Sequence, residues 1–287
     1  MISRSRISLN RILFPAGSLE DFFKLGSDLG LRKIELRNDL EGLGIIDPYS
    51  PKQVKLFCEK YGIKIITINA LQKFNLGAAL PKAMGELKEL IRLSAAIDCA
   101  AIVLVPNNDL NDKRGSEAIL KETVAALKAF GPLFEDSGIF GYIEPLGFEE
   151  CSLRSKVTAL HAIQEAGCCS YKIVHDTFHH HLGPDTDDIL ENNYDISYTG
   201  LVHVSGVESK IPSEAYKDDH RILITERDQF RNREQIELLT RLGYQGDISF
   251  EPFAKEVQMM EIEALKAAVN QSIDFIRKGA FEWQNKT

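Results

Sequence analysis

No apolar run in the 287-residue sequence approaches the ~20 residues needed to cross a bilayer. Residues 1–10 carry arginines but lack the apolar stretch of a signal peptide. A cytoplasmic location with no membrane partner is therefore expected. The five cysteines, Cys58, Cys99, Cys151, Cys168 and Cys169, are odd in number, contain no C-x-x-C pair, and include two neighbours that would make a poor disulfide. They read as packing residues or free thiols, which suits a reducing compartment. No G-x-G-x-x-G or phosphate-loop motif follows any strand candidate, so the usual nucleotide reason for an open doubly wound sheet is missing. Positive charge is also scarce: 34 Lys and Arg against 42 Asp and Glu leave a net charge of −8. That balance disfavours a nucleic-acid partner and fits a small, neutral or cation-assisted ligand. No linker, composition break or low-complexity run divides the chain, so residues 1–287 read as one domain.

What is present is a regular alternation of β-rich runs with stretches of helical periodicity. The strand candidates are residues 6–14, 33–38, 64–70, 101–106, 139–144, 171–176, 198–205 and 247–253. The helices between and after them span residues 18–30, 50–62, 81–97, 116–134, 155–166, 185–192, 233–242 and 259–281. Ser18 can cap the first helix above an acidic first turn, and Ser50-Pro51 supplies an N-cap and N1 for the second. The run from Ala101 is nearly continuous in Ala, Ile, Val and Leu, as a parallel strand covered on both faces requires. Eight consecutive βα units with right-handed crossovers close into a single (β/α)8 TIM barrel.

Such a barrel forms its site at the C-terminal ends of its strands. Strands five to eight end in Tyr142-Ile143-Glu144, Val174-His175-Asp176, Val202-His203-Val204 and Ser249-Phe250-Glu251. The separations between residues 144, 176, 203 and 251 are 32, 27 and 48, each about one βα repeat, the last lengthened by a long seventh connection. Alternation points Ser249 and Glu251 to the barrel axis and Ile248 and Phe250 to the helices. Singly, each of the four has an ordinary reading: a salt bridge, a capping carboxylate at Asp176, a satisfied core histidine at His203. Jointly they converge, and three carboxylates in one cup would repel one another unless a cation neutralised them. An oxygen-rich set with one imidazole suits one divalent ion, Mn²⁺, Mg²⁺, Co²⁺ or Zn²⁺. His179, His180 and His181 follow Asp176 in what reads as a loop, since a helical signal begins only at Gly183-Pro184-Asp185.

The order Glu, Asp-x-x-His, His, Glu on strands five to eight resembles the xylose-isomerase-like TIM-barrel superfamily of metal-dependent sugar isomerases and epimerases. Within it the likeness is strongest to the inosose isomerases of inositol catabolism. It extends over nearly the whole chain, through Ile34-Glu35-Leu36-Arg37, Ile68-Asn69-Ala70, Phe74-Asn75, Ile143-Glu144, Asp176-Thr177-Phe178-His179 and Ile248-Ser249-Phe250-Glu251. The resemblance implies that Glu144, Asp176, His203 and Glu251 bind the metal and that His179, Asn69 and Glu35 contact substrate. It also implies a mechanism: Glu144 and Glu251 flank a polyhydroxy ketone, a keto-inositol or keto-sugar, and move a proton between adjacent carbons while the metal holds the enediolate oxygens. His175, His180 and His181 are expected to orient the loop or face solvent. A small-molecule sugar or cyclitol is thus the expected partner, and a homo-oligomer is compatible with the sequence.

The chain departs from the family in the seventh connection, where Thr225-Glu226-Arg227-Asp228 replaces a glycine-rich G-E-G or G-Q-G segment. Other outcomes of the same site are a dehydratase of the inosose or dehydroshikimate type, in which the enolate expels a β-hydroxyl, or a non-catalytic sugar-binding barrel. A relation to apurinic endonucleases is suggested by Asp218-Asp219-His220. It is opposed by Asn69 and Pro106-Asn107, which stand where those enzymes need histidines.

Overall fold

The structure, a computed structural model, describes residues 2–278. Eight parallel strands close on themselves in sequence order: β1 (Ile7–Asn10), β2 (Lys33–Arg37), β3 (Lys64–Leu71), β4 (Ala101–Leu104), β5 (Phe140–Ile143), β6 (Tyr171–Asp176), β7 (Thr199–Val204) and β8 (Asp247–Phe250). The ring is completed by β1 pairing with β8 through Ile7 to Ile248 and Leu9 to Phe250. The chain therefore folds as a (β/α)8 barrel, as the alternation of its elements predicts.

The surrounding helices are α1 (Leu19–Asp28), α2 (Pro51–Tyr61), α3 (Leu80–Ala96), α4 (Ser116–Ser137), α5 (Lys156–Ala166), α6 (Thr177–Leu182), α7 (Asp187–Asn193), α8 (Asn232–Arg241), α9 (Lys255–Gln258) and α10 (Ile262–Arg277). Ser18 and Asp21 form a reciprocal capping box on α1, and Ser50 with Gln53 does the same on α2 above Pro51. The closing helix starts at Ile262, after the separate turn α9, and the end expected for it at residue 281 lies outside the described residues. No helix of the described residues is long and apolar enough to cross a membrane. The five cysteines are free thiols.

Strand alternation sorts the core into two layers. Ile7, Leu9, Ile34, Leu36, Ile173, Val202, Val204, Ile248 and Phe250 point outward and pack with the helices. Val103, Val174 and Leu201 point inward and fill the barrel with Ala70. Asp176 and His203 lie two residues beyond Val174 and Leu201 on the same faces, so the polar cup rests directly on an apolar plug.

The segment after Asp176 differs from expectation. Residues 177–182 form a helix, not a loop, because the Asp176 carboxylate caps it: Oδ1 accepts from the backbone N–H of Phe178 (2.7 Å) and of His179 (3.1 Å). His179 and His180 are buried, as is His175, which alternation turns outward against α8, where Nε2 meets Gln235 Oε1 at 2.9 Å. His181 is exposed and stacks on Phe230 with ring centroids 3.9 Å apart.

Candidate metal centre

The ligand-type residues end four neighbouring strands, and the ladder itself sets their depth: Glu144 N–H donates to Leu104 O and Glu251 N–H to Val204 O. One donor atom each from Glu144, Asp176, His203 and Glu251 lies within 4.8 Å of the others, and all four residues are buried. His203 Nδ1 faces the three carboxylates, 2.8 Å from Glu144 Oε1, 3.2 Å from Glu251 Oε2 and 4.0 Å from Asp176 Oδ2. Its other nitrogen, Nε2, lies 3.1 Å from Glu35 Oε2. Glu35 is held in turn by Thr67 Oγ1 and by Asn69 Nδ2 at 2.9 Å. A histidine gripped by a carboxylate at one nitrogen and free at the other to face a carboxylate cup is the arrangement by which proteins orient a metal-bound imidazole.

Charge tells the same story. Burial, reinforced by Glu251 and Asp176, outweighs the pull of His203 and pushes the Glu144 carboxyl up to about 7. Burial alone would also raise Glu251, but His203, Arg221 and Arg37 hold it well below the usual carboxylate range. The imidazole of His203 loses charge to burial yet gains more from Glu251, Glu35 and Glu144, so its pKa stands well above the ordinary value. In the protein alone the carboxylates thus draw a proton onto the ring between them. A divalent cation placed among one imidazole nitrogen and three carboxylates would take over that role, and the donor set fits it.

Two guanidiniums complete the cup. Arg221, in the long connection after β7, donates from Nη2 to Asp176 Oδ2 (2.6 Å) and to Glu251 Oε2 (2.9 Å), and from Nε to Ser205 Oγ (3.0 Å). It reaches the centre because the connection folds straight back: Gly206 and Ile222 exchange both backbone hydrogen bonds, at 2.7 and 2.8 Å. Any side chain at Gly206 would press on the backbone, since a Cβ there would lie 2.8 Å from Ile224 Cα and from Leu223 O. Arg37, at the end of β2, donates from Nη1 to Glu251 Oε1 at 2.6 Å. Sequence reasoning missed both roles. Arg37 was within reach, because the question of which ionisable residue ends each strand, put to β2, points to it. Arg221 follows no period and belongs to no strand or helix.

Above the cup lies a cavity of about 270 Å³ lined by Glu144, Glu251, Asn69, His179, Arg37 and Arg221, among others. His179 presents its ring edge-on to Phe148 and Phe178, and its buried Nδ1 has no hydrogen-bond partner. Glu35 is fully buried against His203 and is not among the residues that line the cavity. Asp218 lines it and pairs with Arg221, whereas His220 turns to the backbone of Lys217. The substituted segment at residues 225–228 faces away: Thr225 and Arg227 bind Glu208, and Asp228 caps α8 through Asn232 N–H. Among the described residues the four-ligand group is the one cluster with metal-binding geometry, so residues 218–220 add no second site of that kind.

Known proteins share this architecture. A xylose isomerase domain containing protein from Salmonella typhimurium LT2 is 36% identical, with a TM-score of 0.90 over 96% of this chain and 99% of that one. The inosose isomerase of Halalkalibacterium halodurans is 24% identical over 230 residues, 79% of this chain and 80% of the relative. The IOLI protein, whose structure holds a zinc atom, superposes with a TM-score of 0.86 at 19% identity, over 94% of this chain and 97% of that one. Residues 23–279 match the family described as xylose isomerase-like TIM barrel, and to that family this chain belongs.

Proposed function

We propose that the protein is a divalent-metal-dependent isomerase or epimerase of a polyhydroxy ketone, a keto-inositol or keto-sugar, that moves a proton between adjacent carbons. The observation that carries this reading is that Glu144 and Glu251 belong to the buried four-residue group and also line the cavity above it. At about 270 Å³ the cavity is at the small end of ligand sites, ~300–1,000 Å³, which suits one small polyol. The inosose isomerase among the relatives points the same way.

A metal held by Glu144, Asp176, His203 and Glu251 would supply a Lewis acid that polarises a substrate carbonyl. Glu35 holds His203 in the tautomer that leaves Nδ1 free of its proton once a cation is bound. Glu144 borders the cavity, where its carboxylate would take a carbon-bound proton and give it back. Glu251 is fixed by two guanidiniums and offers a second carboxylate from β8. His179 and Asn69 lie at the cavity wall, where they would position hydroxyl groups.

The test is incubation of metal-loaded protein with a keto-inositol in D2O. Deuterium should enter the carbon next to the carbonyl together with a rearranged ketone. A conjugated-carbonyl absorbance instead would select the dehydratase outcome, and the absence of both metal uptake and exchange would sink the reading.

A further inference from the structure

Glu251 is the most heavily held side chain of the cup, and the holding groups form a pattern. Arg37 donates to its Oε1 and Arg221 to its Oε2, so neither oxygen is free to rotate away. Arg37 is itself pinned by a two-pronged contact to Asp39, Nε to Oδ1 and Nη2 to Oδ2, both at 2.7 Å. Arg221 is pinned by Asp218 through Nη1 at 3.1 Å. Both guanidiniums lie over the ring of Phe253, at 4.9 and 4.6 Å from its centroid. Asp39 and Asp218 stand at the rim, partly exposed, while the two arginines and Glu251 are buried.

We propose that Asp39, Arg37, Glu251, Arg221 and Asp218 act as one positioning unit, in which two rim carboxylates brace two guanidiniums that clamp both oxygens of Glu251. The inference rests on the reading of Glu251 as a metal ligand and proton carrier. Its physical basis is the alternation of sign along the chain of five. Arg221 also meets Asp176, so two guanidiniums face two carboxylates inside the cup, and the rim aspartates add the brace that holds each fork at the solvent edge. A planar fork braced at one end transmits orientation to the other, which a lysine ammonium cannot do. Glu144, by contrast, has His203 at its carboxylate and no hydrogen bond from a guanidinium among the described residues.

The test compares Arg37→Lys, Asp39→Asn and the double variant by titrating metal-free protein with Mn²⁺ alone and reading free Mn²⁺ by electron paramagnetic resonance. Arg37→Lys keeps the charge and loses the fork, and should weaken Mn²⁺ binding by about 10–100-fold, the cost of losing a partner that orients a ligand. Asp39→Asn should weaken it less, and should add nothing once Arg37 is lysine, because Asp39 acts through Arg37. An equal Asp39→Asn effect in both backgrounds would reduce it to the field of one charge and overturn the unit, as would wild-type affinity in Arg37→Lys. If the wild type takes up neither Mn²⁺ nor Zn²⁺, the functional reading fails and crystal structures of the metal-free variants decide this one. A displaced Glu251 carboxylate in Arg37→Lys sustains the unit, and an unmoved one overturns it. Should that variant not fold, the position of Arg37 in Asp39→Asn serves the same comparison.

Discussion

Glu35 Oε2 lies 3.1 Å from Nε2 of His203, the ring nitrogen turned away from Glu144, Asp176 and Glu251, and both side chains are fully buried. The pair fixes which way the imidazole points before any cation arrives. Glu35→Gln keeps the shape but loses the charge that orients the ring, and the amide can present an N–H where an acceptor is needed. Metal affinity should fall by about 10–100-fold with the fold intact, as for other losses of a group that orients a ligand. Calorimetric titration with Zn²⁺ or Mn²⁺ reads this directly. Unchanged affinity would leave Glu35 a structural residue of the barrel interior.

Metal uptake should depend on pH with a definite sign. His203 carries a raised pKa and Glu144 one of about 7, so near neutrality the cup holds protons that a cation must displace. Apparent affinity should therefore rise as pH goes from about 6 to 8, with protons released on binding. Titrations in buffers of different ionisation enthalpy count those protons. A flat profile would mean that the cup is already deprotonated.

A second pH effect lies outside the site. Lys156, at the start of α5, is buried with Nζ 3.1 Å from His180 Nδ1 and 3.9 Å from Asp185 Oδ2. Burial outweighs Asp185 and Asp176 and lowers it to about 8 from 10.5. The unfolded chain therefore binds more protons between pH 8 and 10.5, and stability from this group rises with pH across that window. The full gain is ~3 kcal/mol at 1.36 kcal/mol per pKa unit. Lys156→Met removes it, so the urea midpoint of the wild type should gain on that variant between pH 7.5 and pH 10. Parallel profiles would show that the lysine is not strained by its burial.

How much of this was open to a reader of the sequence depends on which residues obey a period. Glu144, Asp176, His203 and Glu251 are inward positions at the ends of consecutive strands, and two-residue alternation with a repeat of about 30 residues makes them visible. Ser18 and Ser50 are equally visible as caps. The helix at residues 177–182 is not, because Thr-Phe-His-His-His-Leu has neither helical periodicity nor strong propensity and depends on the Asp176 cap. At Asp176 the capping reading does not compete with the ligand reading, because Oδ1 caps the helix while Oδ2 is turned to His203 and Arg221. Arg221 was hidden for another reason: a fold-back at Gly206, decided by backbone contact, returns it 16 residues along the chain to Ser205 and so to Asp176 and Glu251.

The two glutamates should be unequal under mutation. Glu144→Gln removes a carboxylate whose side-chain neighbour is His203, and it also removes a like charge from a crowded cup. Its thermal stability should stay close to that of the wild type. Glu251→Gln leaves Arg37 and Arg221 buried with one fewer counter-charge between them, and should cost up to ~3–5 kcal/mol, the range for removing one partner of a buried ion pair. For turnover the two converge, because an amide cannot accept a carbon-bound proton: each variant should lose ~10²–10⁴-fold. They diverge again in isotope exchange. A two-carboxylate mechanism lets one variant wash the substrate α-proton into D2O from its intact face without net isomerisation, while the other does neither, and that contrast identifies the glutamate that acts first. Near wild-type turnover in both variants with metal bound would refute the paired-carboxylate mechanism while leaving the metal centre in place.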